Sequence, residues 1–213
     1  MGNFSKTSRL MQLVVCVMLV ALAPLAQATI LNGGASGVSP DIFGFGPSGP
    51  VLATSSGTVS AITFSTKFTA TVVADPANTF CAGCLDYTYT YTNNGPDVNG
   101  RYSAGFFTGF MTDVGFVSGT GIVPNTVDRS SNGGVVGFNY LGSNQVDAGQ
   151  TTVTLVIETN TRQFVPGFLS VQDGTAASAA AFQPTFIPEP SSLALLGGGL
   201  LVIGSFVRRF RLR

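Results

Sequence analysis

Histidine and tryptophan are both absent from the 213 residues, and charged residues make up only 9% of them. Zero histidine excludes Ser-His-Asp and Cys-His nucleophilic machinery and removes the commonest general base and metal ligand. Positive charge is scarce where a folded domain would lie. Between residues 29 and 187 the basic side chains are Lys67, Arg101, Arg129 and Arg162, against nine acids, a net of −5. Four scattered cations cannot neutralise a phosphate backbone, so nucleic acid is not expected as a partner. The acids stand singly in the sequence, and nothing marks two of them as a facing catalytic pair. Asp97-Val98-Asn99-Gly100 holds a fragment of a calcium-loop pattern without its later ligands, and reads as a solvated turn. With no phosphate-loop or dinucleotide fingerprint either, no catalytic, cofactor or metal site is expected, and the chain does not read as an enzyme.

Cysteine is nearly missing too, with three in the chain: Cys16, Cys81 and Cys84. Cys81-Ala82-Gly83-Cys84 has three readings. A local disulfide suits an oxidising compartment. A redox-active pair would want the motif at a helix N-terminus, whereas this one precedes a strand. A zinc knuckle lacks two further ligands. The disulfide is the favoured reading.

Both ends of the chain are informative. Lys6 and Arg9, then an apolar run over residues 10–25, then Ala26-Gln27-Ala28, form the three regions of a secretory signal peptide. Signal peptidase is expected to cut after Ala28, removing residues 1–28 with Cys16. At the other end, Pro188-Glu189-Pro190 precedes an uncharged run at residues 191–207, and Arg208, Arg209, Arg211 and Arg213 follow. Apolar residues that cannot stay in water, followed by charges that cannot cross lipid, make a stop-transfer signal with its C-terminus in the cytoplasm. Seventeen residues span about 25 Å as a helix, short of a typical hydrocarbon core of about 30 Å. Gly197-Gly198-Gly199 softens that helix further. The expected segment is a short transmembrane helix with a basic tail at residues 208–213.

The middle of the chain has the composition of a β-protein, rich in Phe, Val and Thr. Residues 32–50 are rich in Gly, Pro and Ser and read as a loop or a loose lead-in strand. Hydrophobic alternation slips phase near Ile62, predicting a bulge or a break between strands. In residues 85–92, Leu85, Tyr87, Tyr89 and Tyr91 share one face while Asp86, Thr88, Thr90 and Thr92 share the other. Asn93-Asn94-Gly95-Pro96 is expected to turn the chain. Further strands are predicted at residues 101–111, 114–118, 135–141, 151–158 and 164–172. Short strands separated by frequent turn signals predict an antiparallel sandwich or barrel. The tyrosine row is expected to pack inward; the alternative is an exposed platform for stacking on sugars.

The proline-glutamate-proline triplet, the short apolar span and the arginine cluster together resemble the PEP-CTERM sorting signal of Gram-negative envelope proteins. Residues 85–185, opening on YTYTYTNNGP, resemble the immunoglobulin-like ectodomain found upstream of that signal. These resemblances imply an all-β, immunoglobulin-like antiparallel sandwich over residues 29–173, a linker at 174–187 and a sorting signal at 188–213. They also imply recognition by an exosortase, an integral-membrane processing enzyme, near Pro188, Glu189 and Pro190. The implied role is a non-enzymatic protein held transiently in the inner membrane and then sorted to the cell surface or extracellular matrix. Exopolysaccharide is a candidate partner, and a carbohydrate-binding module is the alternative role.

Overall fold

Strands occupy much of the chain from Asp41 to Pro184, with successive side chains pointing to opposite faces of each sheet. The computed structural model describes residues 29–186, and the expected signal peptide at residues 1–28, the expected span at residues 191–207 and the basic tail lie outside them. Eleven strands form: β1 (Asp41–Phe43), β2 (Val51–Ser60), β3 (Phe64–Asp75), β4 (Cys84–Pro96), β5 (Arg101–Gly105), β6 (Thr112–Val117), β7 (Thr126–Arg129), β8 (Val135–Asn139), β9 (Leu155–Thr159), β10 (Phe164–Asp173) and β11 (Thr175–Pro184). Among the described residues no helix is long and apolar enough to cross a membrane.

The strands form two sheets, ordered β1-β6-β9-β4-β3-β2 and β11-β10-β5-β8-β7. Every pairing is antiparallel except the short β1–β6 contact. One apolar core joins the inner faces of both, which makes the sandwich. The tyrosine row of β4 lies in that core, as the alternation predicts, and Thr88, Thr90 and Thr92 are half-buried on the opposite face. Tyr91 stacks on Tyr102 of β5 with ring centroids 4.1 Å apart, and Tyr87 meets Phe107 edge-on at 5.5 Å. Such contacts across the two sheets each add about 0.5–1.5 kcal/mol beyond area burial.

The break between strands expected near Ile62 is the tip of the β2–β3 hairpin, closed by Ala61 N donating to Phe64 O. Two sequence expectations are corrected. Asn93 to Pro96 does not end β4: the strand runs on through Pro96 past a register shift at Ser65/Thr66. There the Asn93 side chain accepts from Gly95 N at 2.8 Å and donates to Asp97 O and Val146 O, so its turn-forming chemistry serves the irregularity instead. The stretch 174–187 is not a linker. Residues 175–184 form β11, paired along its whole length with β10 and turned back at Gly174, whose φ of 59° favours glycine. The sandwich therefore extends beyond residue 173. Ala177, Ala179 and Ala181 point to the core and Ala176, Ser178 and Ala180 away from it.

Candidate functional site

The register of the six-stranded sheet gathers side chains that are far apart in sequence. Asp86 in β4 lies opposite Glu158 in β9, and Glu158 lies opposite Asp113 in β6. In β3, Val73 pairs with Asp86, so Asp75, two residues on, shares the same face. In β1, Asp41 lies opposite Gly115, two residues beyond Asp113. A Cβ at Gly115 would run into the Asp41 carbonyl, so only glycine admits β1 there. Five of the nine acids among the described residues thus occupy the outer face of one sheet. Like charges directly opposite each other on neighbouring strands destabilise a sheet.

These carboxylates are also covered. Asp86 is fully buried, Asp113 is 1% exposed, and Asp75 and Glu158 are each 6% exposed. Over Asp75, Asp86 and Glu158 the cover is the loop at residues 76–83, while Ile30 bridges to Asp113. Asp75 Oδ1 accepts from Ala77 N at 3.0 Å, starting the loop as an Asx-type turn, and Ser48 donates to the same oxygen. Asn78 Nδ2 donates to Asp86 Oδ1 at 2.6 Å and to Thr159 O at 3.3 Å. Its Oδ1 accepts from Phe80 N at 2.8 Å. Thr79 N donates to Glu158 Oε2 at 3.0 Å. The Cys81–Cys84 disulfide closes the loop where β4 begins, with Cα atoms 5.2 Å apart. At the far side of the row, Thr29 N donates to Asp41 Oδ2 at 3.1 Å.

Two oxygens in this row have no hydrogen-bond partner among the described residues: Asp86 Oδ2 and Asp113 Oδ1. Burial pushes the Asp86 carboxyl up to about 8; the Asn78 hydrogen bond opposes this, and Glu158 and Asp75 add to it. Burial likewise raises Asp113, helped by Asp41 and Glu158, and raises Glu158 against the hydrogen bonds from Thr79. No basic side chain among the described residues pairs with the row. Arg101 forms the one ion pair found there, with Asp128 on the other sheet. Arg129 is buried among backbone carbonyls, and Arg162 donates to Ala82 O on the covering loop. Carboxylates so placed cannot all ionise unless a counter-charge arrives.

The remaining sequence expectations divide plainly. Tyr87, Tyr89 and Tyr91 are buried, so this row offers no face to a sugar. Asn99 turns inward, donating to Thr66 Oγ1 and Tyr102 OH, so the segment from Asp97 to Gly100 presents no calcium loop. A shallow groove of about 430 Å³ lies on the outer face of the same sheet, lined by Ser56, Thr58, Lys67, Thr69, Thr90 and Thr92. Ala26, Ala28, Pro188, Glu189, Pro190 and the four terminal arginines lie outside the described residues. The sequence reading missed the carboxylate row. Its only signal was Asp86 at the head of the outward threonine row; which acids stand beside it depends on strand register.

The family model of the PEP-CTERM protein-sorting motif matches residues 186–211. The chain carries that motif, and it marks an exported protein processed by an exosortase-type enzyme. Among curated proteins nothing matches the chain, and no solved structure matches it either.

Proposed function

We propose that the β-sandwich is a non-catalytic ectodomain, held briefly at the inner membrane and then delivered to the cell surface or exopolysaccharide layer, where its role is structural. The observation that carries this reading is the sorting motif at residues 186–211, which begins directly after β11 ends at Pro184. The physical pattern supports the same route. An apolar run of about 25 Å as a helix, followed by four arginines, would halt translocation with the arginines inside and the sandwich outside. In this topology Pro188-Glu189-Pro190 would lie at the outer interface, where two prolines disfavour helix and would leave the triplet open to a processing enzyme.

The catalytic reading finds little support in the sandwich. Histidine is absent from the chain, and the carboxylates that do converge are covered by a loop rather than lining a cleft. The buried tyrosines remove the feature that favoured carbohydrate binding.

The test is Glu189→Ala in the native host. The apolar run and arginines are untouched, so insertion should persist while full-length protein accumulates in the inner membrane. If variant and parent both keep an intact C-terminus there, the segment is a permanent anchor and the sorting reading fails.

A further inference from the structure

The carboxylates of Asp75, Asp86 and Glu158 come from three adjacent strands, and one oxygen from each lies within 4.8 Å of the others. Oxygens that share a calcium ion at 2.3–2.6 Å stand up to about 5 Å apart, so one ion reaches all three. A second, independent observation points into the same space. Asp86 is fully buried, Asn78 donates to its Oδ1, no donor among the described residues reaches its Oδ2, and the other group in hydrogen-bond contact with this carboxyl is the Asp75 carboxyl, which as a carboxylate can only accept. A buried carboxylate oxygen left without a donor is costly, and in native proteins such atoms mark an unfilled partner. No basic side chain among the described residues fills that place. Arg101 is engaged by Asp128, Arg129 by carbonyls, and Arg162 by Ala82 O, while Lys67 is exposed at the other end of β3.

We propose that Asp75, Asp86 and Glu158 form a calcium site on the outer face of the six-stranded sheet, beneath the disulfide-closed loop at residues 76–83. The donor set selects the ion. It is oxygen only, since the chain has no histidine and the two cysteines here are bonded to each other. That favours a hard cation over zinc or copper. Three carboxylates, each able to bind through one or both oxygens, suit the six to eight ligands and flexible geometry of calcium better than the strict octahedron of magnesium. The bound ion ties the end of β3, the start of β4, β9 and the covering loop into one unit. It rests on the exported reading only for its expected affinity range, since extracellular calcium modules bind at about 10⁻⁴–10⁻³ M.

The test uses the exported protein purified from its host, stripped with EGTA and dialysed at pH 7.5. Calorimetric titration with CaCl₂ should show one ion per chain at a submillimolar to millimolar Kd. The melting temperature should rise by about 5–10 °C when calcium reaches 100 times that Kd. Asp86→Asn should weaken binding at least tenfold and abolish most of the shift; Glu158→Gln gives the same comparison if the first variant fails to fold. Absence of calcium-dependent heat and of any melting shift up to 10 mM CaCl₂ in the parent protein overturns the site. An equal shift with MgCl₂, or an unchanged shift in a folded Asp86→Asn variant, overturns it as well.

Discussion

Arg129 offers the sharpest test of how the two sheets are held together. Its side chain is 6% exposed and uses all five of its N–H donors. Nε donates to Gly133 O at 3.0 Å, and Nη1 donates to Leu31 O at 2.9 Å and to Thr112 Oγ1 at 3.0 Å. Nη2 donates to Phe107 O and Phe110 O, each at 2.8 Å. One guanidinium thereby fastens the N-terminal segment, the β5–β6 loop, the start of β6 and the β7–β8 turn. Arg129→Met removes five charge-assisted bonds, each with a net value of about 1.5–3 kcal/mol, but also removes the cost of burying a charge. The balance is a loss of about 3–5 kcal/mol, a large share of the 5–15 kcal/mol that stabilises a domain. With a urea slope near 2 kcal/mol/M the unfolding midpoint should fall by about 1.5–2.5 M. Arg129→Lys keeps the charge but has three donors on a single nitrogen, so it should recover less than half of the loss. Tyrosine fluorescence and far-UV circular dichroism follow the transition. If both variants move the midpoint by less than about 0.5 M, the five-bond clamp does not hold these elements and the reasoning fails.

The acidic row and the disulfide yield further expectations. In EGTA the protein should lose stability as pH rises from about 4 to 8. Asp86 ionises near 3.8 when unfolded and at about 8 when folded, so its contribution is complete below the lower value and lost through the higher. A shift of about four units sets a ceiling on the order of 5 kcal/mol. Melting temperatures that climb between pH 5 and 8 without calcium would contradict this. Below pH 4 the sign reverses at Asp128. Burial pushes that carboxyl up, but the hydrogen bonds from Arg101 and Asn139 outweigh it and leave it lowered, so its contribution is present above about 3.8 and is lost on acidification. Replacing Cys81 and Cys84 by Ser opens a loop of sequence separation only 3 and should cost about 2 kcal/mol or less. A double variant that fails to fold would show that the covering loop matters more than its size implies.

Strands with strong contrast between their faces were legible from sequence. In β4, tyrosine and threonine alternate so cleanly that the inward row follows from period alone, and the apolar Leu155 and Ile157 of β9 gave the same information. β11 was hidden because alanine occupies both of its faces, leaving no hydrophobic contrast. β7 was hidden because four residues with one core side chain, Val127, are too short to show a period. Pairwise register was hidden everywhere, and the carboxylate row depends on it: Asp86, Glu158 and Asp113 meet only because β9 sits between β4 and β6. The Arg129 clamp was hidden for another reason. Four of its five acceptors are backbone carbonyls, which residue identity does not specify.

The central claim is that this chain is exported and released from its C-terminal anchor by processing at the sorting motif. The most direct measurement is the intact mass of the protein recovered from the host's surface or extracellular fraction. The account predicts a chain that begins at Thr29 and ends near Pro188-Glu189-Pro190, without residues 191–213. A mass that still includes residues 191–213 would contradict it.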